Sequence, residues 1–151
     1  MKRTLVAAAL GLAVLLPASA QSVELRFAFP APPQSLVNQW GFTPWVEEIK
    51  KDSNGALDIK IIPGPTLGSF GTIYDRTANG VADIAFGIMS AMSGRFPKTE
   101  VINIPFGVES PGEGALALWR LYAKGVIADE YKDVKVLTLF AFGNPAIQTK
   151  D

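Results

Sequence analysis

Eight side chains in this sequence stand where a small molecule could be held. Gln34, Thr66, Ser90, Arg95, Asn144 and Gln148 are polar residues in loops, and Met89 and Phe106 are apolar residues that could wall the same space. Each loop follows an apolar run, at 30–35, 63–69, 87–95, 105–107 and 143–148. Amides, hydroxyls and a guanidinium recognise a ligand through hydrogen bonds, and a guanidinium can grip a carboxylate with two of them. Taken singly, each polar residue also reads as a solvated loop residue or a turn former. Arg95, inside "GRFP", has two readings: a bidentate partner for a carboxylate, or a surface arginine with Phe96 tucked into the core.

Other chemistries are poorly supplied. The sequence has no His and no Cys, which removes most metal-ligand sets and the usual general bases. No metal and no cofactor is expected. "GPTLGSFG" follows an apolar run and opens a helical pattern, but Gly64, Gly68 and Gly71 match neither a dinucleotide fingerprint nor a P-loop. These glycines read as turn-makers, with the amides of the following helix as an alternative anion site. No G-x-S-x-G elbow and no Ser-x-x-Lys pair is present. Asp75 and Asp83 are the acids nearest these segments, and Asp83 within an apolar run must find a partner at a strand edge or from loop amides.

The elements that must position these loops alternate along the chain. "VELRFAF", "ALDIKIIP", "VADIAFG", "VINIPF" and "VKVLTLFAFG" read as strands or extended segments. Between them lie helical patterns. One starts with Thr43 as cap and Pro44 at the first position, carries Trp45, Val46 and Ile49 on one face, and stops at Ser53-Asn54-Gly55. A second, with Ser69 as a candidate cap, carries Phe70, Ile73, Tyr74 and Thr77 and stops at Asn79-Gly80. A third opens with the capping box Ser110-Pro111-Gly112-Glu113, turns Leu118, Leu121 and Tyr122 inward and stops at Gly125. A loop at 88–100 has room for one helical turn, and another short helical piece covers Asp129 to Lys132. The aromatic residues Trp40, Phe42, Trp45, Phe70, Tyr74, Trp119 and Tyr122 are expected to pack in the core. This order predicts an α/β fold: a mostly parallel sheet flanked by helices.

The first 20 residues have the form of a secretory signal peptide. Lys2 and Arg3 precede an apolar stretch from Leu5 to Leu16, and Ala18-Ser19-Ala20 offers a cleavage site. The stretch is shorter than the roughly 20 residues of a membrane span. Cleavage would leave 12 basic against 14 acidic residues, with no basic run for nucleic acid or anionic lipid. A chain of about 131 residues suffices for one domain, residues 21–151, whose core must hold without disulfides.

The pairing of "SNGALDIKIIPGPTLG" with "NGVADIAFG", together with "ELRFAFPAP", "GFTPWVEEIKK", "YDRTANG", "INIPF" and "VKVLTLFAFGNP", resembles the substrate-binding proteins of TRAP transporters, the DctP family. "GRFP", "EYKDVKVL" and "QTKD" are similar to one branch of it. The resemblance implies a periplasmic protein of a Gram-negative bacterium, with two α/β lobes that close on a small organic anion, commonly a carboxylate. It implies delivery of that anion to TRAP membrane permease subunits, with no enzymatic step, no nucleic acid and no membrane insertion after signal cleavage. It covers about the first half of such a protein, so this chain would be its first lobe. The second lobe, an arginine clamp and a returning segment would lie beyond Asp151. Many members carry another Arg where this sequence has Ala146, which leaves the ligand's identity open. An exported hydrolase working with carboxylates and an extracytoplasmic sensor domain are the alternatives from other classes.

Overall fold

The computed structural model describes residues 22–92, 94–105 and 107–143. The expected signal peptide lies outside the described residues. Three parallel strands form the sheet: β1 (Val23–Phe29), β2 (Leu57–Pro63) and β3 (Ile84–Ala85), in the order β2-β1-β3. β1 pairs along its whole length with β2, from Val23 opposite Leu57 to Phe29 opposite Pro63. It meets β3 at Phe27 opposite Ile84 and Ala28 opposite Ala85. Parallel neighbours require crossovers, and α1 (Thr43–Asp52) and α2 (Ile73–Ala78) supply them. A third helix, α3 (Pro111–Ala123), follows the sheet. Among the described residues no helix is long and apolar enough to cross a membrane. The α/β expectation, a parallel sheet flanked by helices, holds.

Alternation along β1 sorts the core into two layers. Phe27 and Phe29 are buried on one face, against Phe42 and Trp45 from the α1 side and Ile59 and Ile61 of β2. Ala28 faces the other way, into a cluster with Ile73 and Tyr74 of α2, Leu118 of α3, and Phe96. The sheet is thus covered on both faces, as its apolar strands require.

The helix stops are those the sequence marks. Gly80 adopts φ of 74° after α2; its amide donates to the Thr77 carbonyl at 3.0 Å and the Val81 amide to Arg76 at 2.8 Å. This left-handed closure satisfies carbonyls that would otherwise be orphaned. Asn54, at φ of 50°, and Gly55, at φ of 79°, do the same for α1, their amides donating to the Lys51 carbonyl at 3.0 Å and the Lys50 carbonyl at 2.8 Å. Ser110 caps α3 by accepting the Glu113 amide at 3.2 Å, while Glu113 Oε2 accepts the Glu109 amide at 2.9 Å. Leu118 is buried and Leu121 and Tyr122 pack beside it, as expected.

Four local readings are corrected. Thr43 does not cap α1, because a π-helix, Val37–Phe42, runs directly into it and the Thr43 amide donates to Asn38. Proline cannot donate an amide and clashes with the carbonyl one turn back, and the wider π turn makes room for it. Thr72, not Ser69, occupies the cap position of α2, and its Oγ1 accepts the Ser69 amide at 3.0 Å. "VINIPF" is not extended: Thr99–Asn103 form a 3-10 helix, held by a carboxylate from 30 residues onward that no local pattern reveals. Val134 to Phe142 form no strand pairing among the described residues, although Val136 and Leu139 are buried. A strand exists only with a ladder partner, and β3 shares no ladder with this segment. The aromatic residues divide as well. Trp40 is 79 % and Trp119 42 % exposed, while the other five pack inward.

Asp83 pins β3 to β1. Its Oδ2 accepts both the Arg26 amide at 2.7 Å and the Arg26 Nε at 2.9 Å, and the Arg26 guanidinium also donates to the Gly80 carbonyl at 2.9 Å. The Asp83 amide returns a bond to the Arg26 carbonyl at 3.0 Å. Hydrogen bonds and charge from Arg26 lower the Asp83 pKa. A carboxylate with a lowered folded-state pKa stabilises the fold above its unfolded value, near 3.9, and that contribution is lost as pH falls through the lower folded value. Asp83→Asn is expected to lower the melting temperature at pH 7 and to flatten its decline below about pH 4, measured by circular dichroism across a pH series.

Candidate functional site

Beside β3 the chain leaves an open cleft of about 1900 Å³, which reaches the carboxyl end of this strand at Phe86 to Ser90. Ligand sites in open α/β sheets fall at this end. Its walls come from the π-helix, from the segment after β3, and from the last described stretch, 134–143. The cleft also runs along the free edge of β3, where Leu25, Phe27 and Ile84 line it.

Phe86 is the centre of the wall. Its ring lies 5.5 Å from Phe29, 5.3 Å from Phe42 and 5.8 Å from Phe70. From the other side Phe140 stacks on it at 5.8 Å with the planes 5° apart, and Phe142 meets it edge-on at 6.3 Å. Phe86 itself is buried, whereas Phe140 and Phe142 are 39 % and 53 % exposed. The nest has a local origin. Ala-Phe followed by Pro or Gly ends β1 (Ala28-Phe29-Pro30), β3 (Ala85-Phe86-Gly87) and the last apolar run (Ala141-Phe142-Gly143). Each copy places a ring at the same end of its segment, before a residue that turns the chain away.

The floor is polar and fully paired. The Glu130 carboxylate accepts the amides of Lys98 at 2.6 Å and Thr99 at 2.9 Å, and the Thr99 hydroxyl at 2.6 Å. Thr99 has one proton and gives it to the carboxylate, so the Tyr131 hydroxyl 2.9 Å away donates to Thr99. Burial raises the Tyr131 pKa. This chain fixes the 3-10 turn Thr99–Asn103 against the one at Ala128–Tyr131.

Of the eight residues named from sequence, Met89 and Ser90 line the cleft. Gln34 and Thr66 are exposed and outside its lining. Arg95 turns to α2, where its guanidinium pairs with Asp75 and lies 4.3 Å above the Tyr74 ring. Phe96 beside it is fully buried. Phe106, Asn144 and Gln148 lie outside the described residues. In "GPTLGSFG", Gly68 has φ of 154°, and a Cβ there would come within 3.0 Å of Arg76, so this glycine serves the turn. Phe42, Phe86, Phe140 and Phe142 were not among the sequence candidates. The threefold Ala-Phe ending is a signal that could have found Phe86 and Phe142; nothing comparable marks Phe42 or Phe140. Among the described residues no three His, Cys, Asp or Glu side chains converge on a metal site.

The parallel three-stranded sheet flanked by helices matches one lobe of TRAP solute-binding proteins. The family model of bacterial extracellular solute-binding proteins, family 7 (DctP), matches residues 30–147. The chain belongs to this family. Solved structures agree. A TRAP solute-binding protein from Rhodoferax ferrireducens, in complex with copurified benzoate, is 33 % identical with a TM-score of 0.73, over 79 % of this chain and 37 % of its own. A marine metagenome TRAP protein specific for aromatic acids, with 3-hydroxybenzoate, is 32 % identical with a TM-score of 0.74, over 79 % and 37 %. A TRAP periplasmic protein from Bordetella bronchiseptica with bound mandelate is 28 % identical with a TM-score of 0.69, over 78 % and 38 %. The chain therefore spans little more than a third of the length of these structures.

The floor has a measurable cost of disruption. Thr99→Val leaves the Tyr131 hydroxyl without its acceptor and removes one of the three donors to Glu130, the two backbone amides remaining. It is expected to lower unfolding free energy by about 1–3 kcal/mol in urea denaturation, whereas Thr99→Ser retains most of the stability.

Proposed function

We propose that this chain is the first lobe of a periplasmic receptor that captures a small organic carboxylate and hands it to a TRAP-type membrane permease, without chemical change to the solute. The observation that carries the reading is the open cleft beside β3 of a DctP-family lobe, in a fold whose relatives hold carboxylates. In this reading residues 1–20 are an export signal, and residues 21–151 form the lobe. The remaining wall of the site, including the main partner of the carboxylate, comes from a second lobe, and lobe closure about a hinge encloses the solute.

Met89 and Ser90 are proposed as contacts from this lobe. Gln34, Thr66 and Arg95 would reach the solute only through rearrangement on closure. Phe106, Asn144 and Gln148 are proposed as the remaining contacts. No observation favours a hydrolase.

Isothermal titration of the whole protein containing this chain, against a panel of carboxylates, tests the reading. Micromolar or tighter binding of one class is expected, together with solute uptake by proteoliposomes bearing the matching permease only when the receptor is added. Failure of every carboxylate to bind contradicts the proposal. The isolated 22–143 segment should bind none of them and should self-associate in size-exclusion chromatography, because Trp40, Ile104 and Phe142 would be left on its surface.

A further inference from the structure

Of the five asparagines in the sequence, two precede glycine: Asn54-Gly55 and Asn79-Gly80. The pairs close α1 and α2 respectively, and both asparagines are exposed. They differ in how they are held. The Asn79 Nδ2 donates to the Asp75 carbonyl at 2.7 Å, and the Arg26 guanidinium holds the Gly80 carbonyl at 2.9 Å. Asn54 is the one non-glycine residue in the left-handed region among the described residues. The side-chain bonds of its turn belong to Ser53, whose Oγ donates to the Lys50 carbonyl at 3.2 Å and accepts the Leu57 amide at 3.1 Å. The Asn54 side chain makes none among the described residues. We infer that Asn54-Gly55 is a site of spontaneous deamidation and isoaspartate formation, and that the fold protects the same dipeptide at Asn79-Gly80.

The reaction needs only water. The Gly55 nitrogen attacks the Asn54 Cγ, a C–N bond forms as ammonia leaves with the proton of the attacking amide, and water opens the resulting cyclic imide. Opening at one carbonyl gives aspartate; opening at the other gives isoaspartate, whose backbone runs through the former side chain. Glycine has no Cβ to hinder the approach of its nitrogen. Both glycine amides donate into their helix, Gly55 to the Lys50 carbonyl at 2.8 Å and Gly80 to the Thr77 carbonyl at 3.0 Å, so the turn must open at either site. At Asn79 the side-chain bond and the Arg26 clamp must break as well.

The product damages the stop of α1. It places a new carboxylate two residues after Asp52, at a helix C-terminus, where negative charge opposes the dipole. Isoaspartate also lengthens the backbone just before Ala56, whose carbonyl accepts the Val23 amide at 2.8 Å where the β1–β2 pairing starts.

The test is peptide mapping by mass spectrometry of the whole protein containing this chain, aged in warm, mildly alkaline buffer either folded or in urea. In the folded protein Asn54 is expected to convert at least about threefold faster than Asn79, a factor that one hydrogen bond supplies. In urea the two sites should convert at similar rates, since the dipeptide is the same. The aged folded protein should melt at a lower temperature than the fresh one. Asn54→Gly keeps the left-handed position and removes the reacting side chain, and should hold its melting temperature through ageing. Equal rates in the folded protein, or faster conversion at Asn79, overturn the inference. So does conversion of both sites only in urea, because the fold would then protect Asn54 too. The same rate ratio folded and in urea traces the difference to sequence neighbours and overturns the protective role of the fold. Aged wild type that keeps its melting temperature, or aged Asn54→Gly that loses as much, overturns the damage assigned to this turn.

Discussion

β1 shares backbone hydrogen bonds with both of its neighbours, and this double pairing organises everything else. Because β1 is central and parallel to β2 and β3, the carboxyl ends of all three lie on one side. The Arg26–Asp83 pair fixes β3 beside it from a position one step ahead of the short two-residue ladder. Without that pin β3 would be held by few bonds, since its paired length is only Ile84–Ala85. The placement of Phe86, and with it the cleft, follows from this pairing.

From that alignment the site builds itself. Alternation sends Phe27 and Phe29 to one face and Ala28 to the other, so each Ala-Phe ending puts a small residue toward one layer and a ring toward the other. Phe86 repeats the arrangement one strand over and touches Phe29. Phe142 repeats it again on the far side. The paired floor formed by Thr99, Glu130 and Tyr131 satisfies its own polar groups. It can therefore sit under an apolar wall without the cost of an unpartnered buried hydroxyl.

Much of this was legible in the sequence because it is local. The Asn79-Gly80 stop, the Ser110–Glu113 box and the inward stripe of α3 each depend on residues within one turn of each other. What was not legible depends on distant partners. "VINIPF" read as extended because Val101, Ile102 and Ile104 favour a strand, and Glu130, which holds the turn, lies far along the chain. Arg26 as the partner of Asp83 was equally hidden, at a separation of 57 residues. The site reading favoured polar loop residues and assigned aromatics to the core. It passed over the rings that wall the cleft because burial of Phe86 and exposure of Phe142 differ only in tertiary context.

The central claim is that the cleft beside β3, reaching that strand's carboxyl end, is where the solute sits. A crystal structure of the whole protein containing this chain, with its solute bound, tests it most directly. The account predicts solute atoms in van der Waals contact with Phe140 and Phe142 and next to the 87–90 segment. A solute bound elsewhere, with the Phe86 nest packed against the protein's own chain, would contradict it.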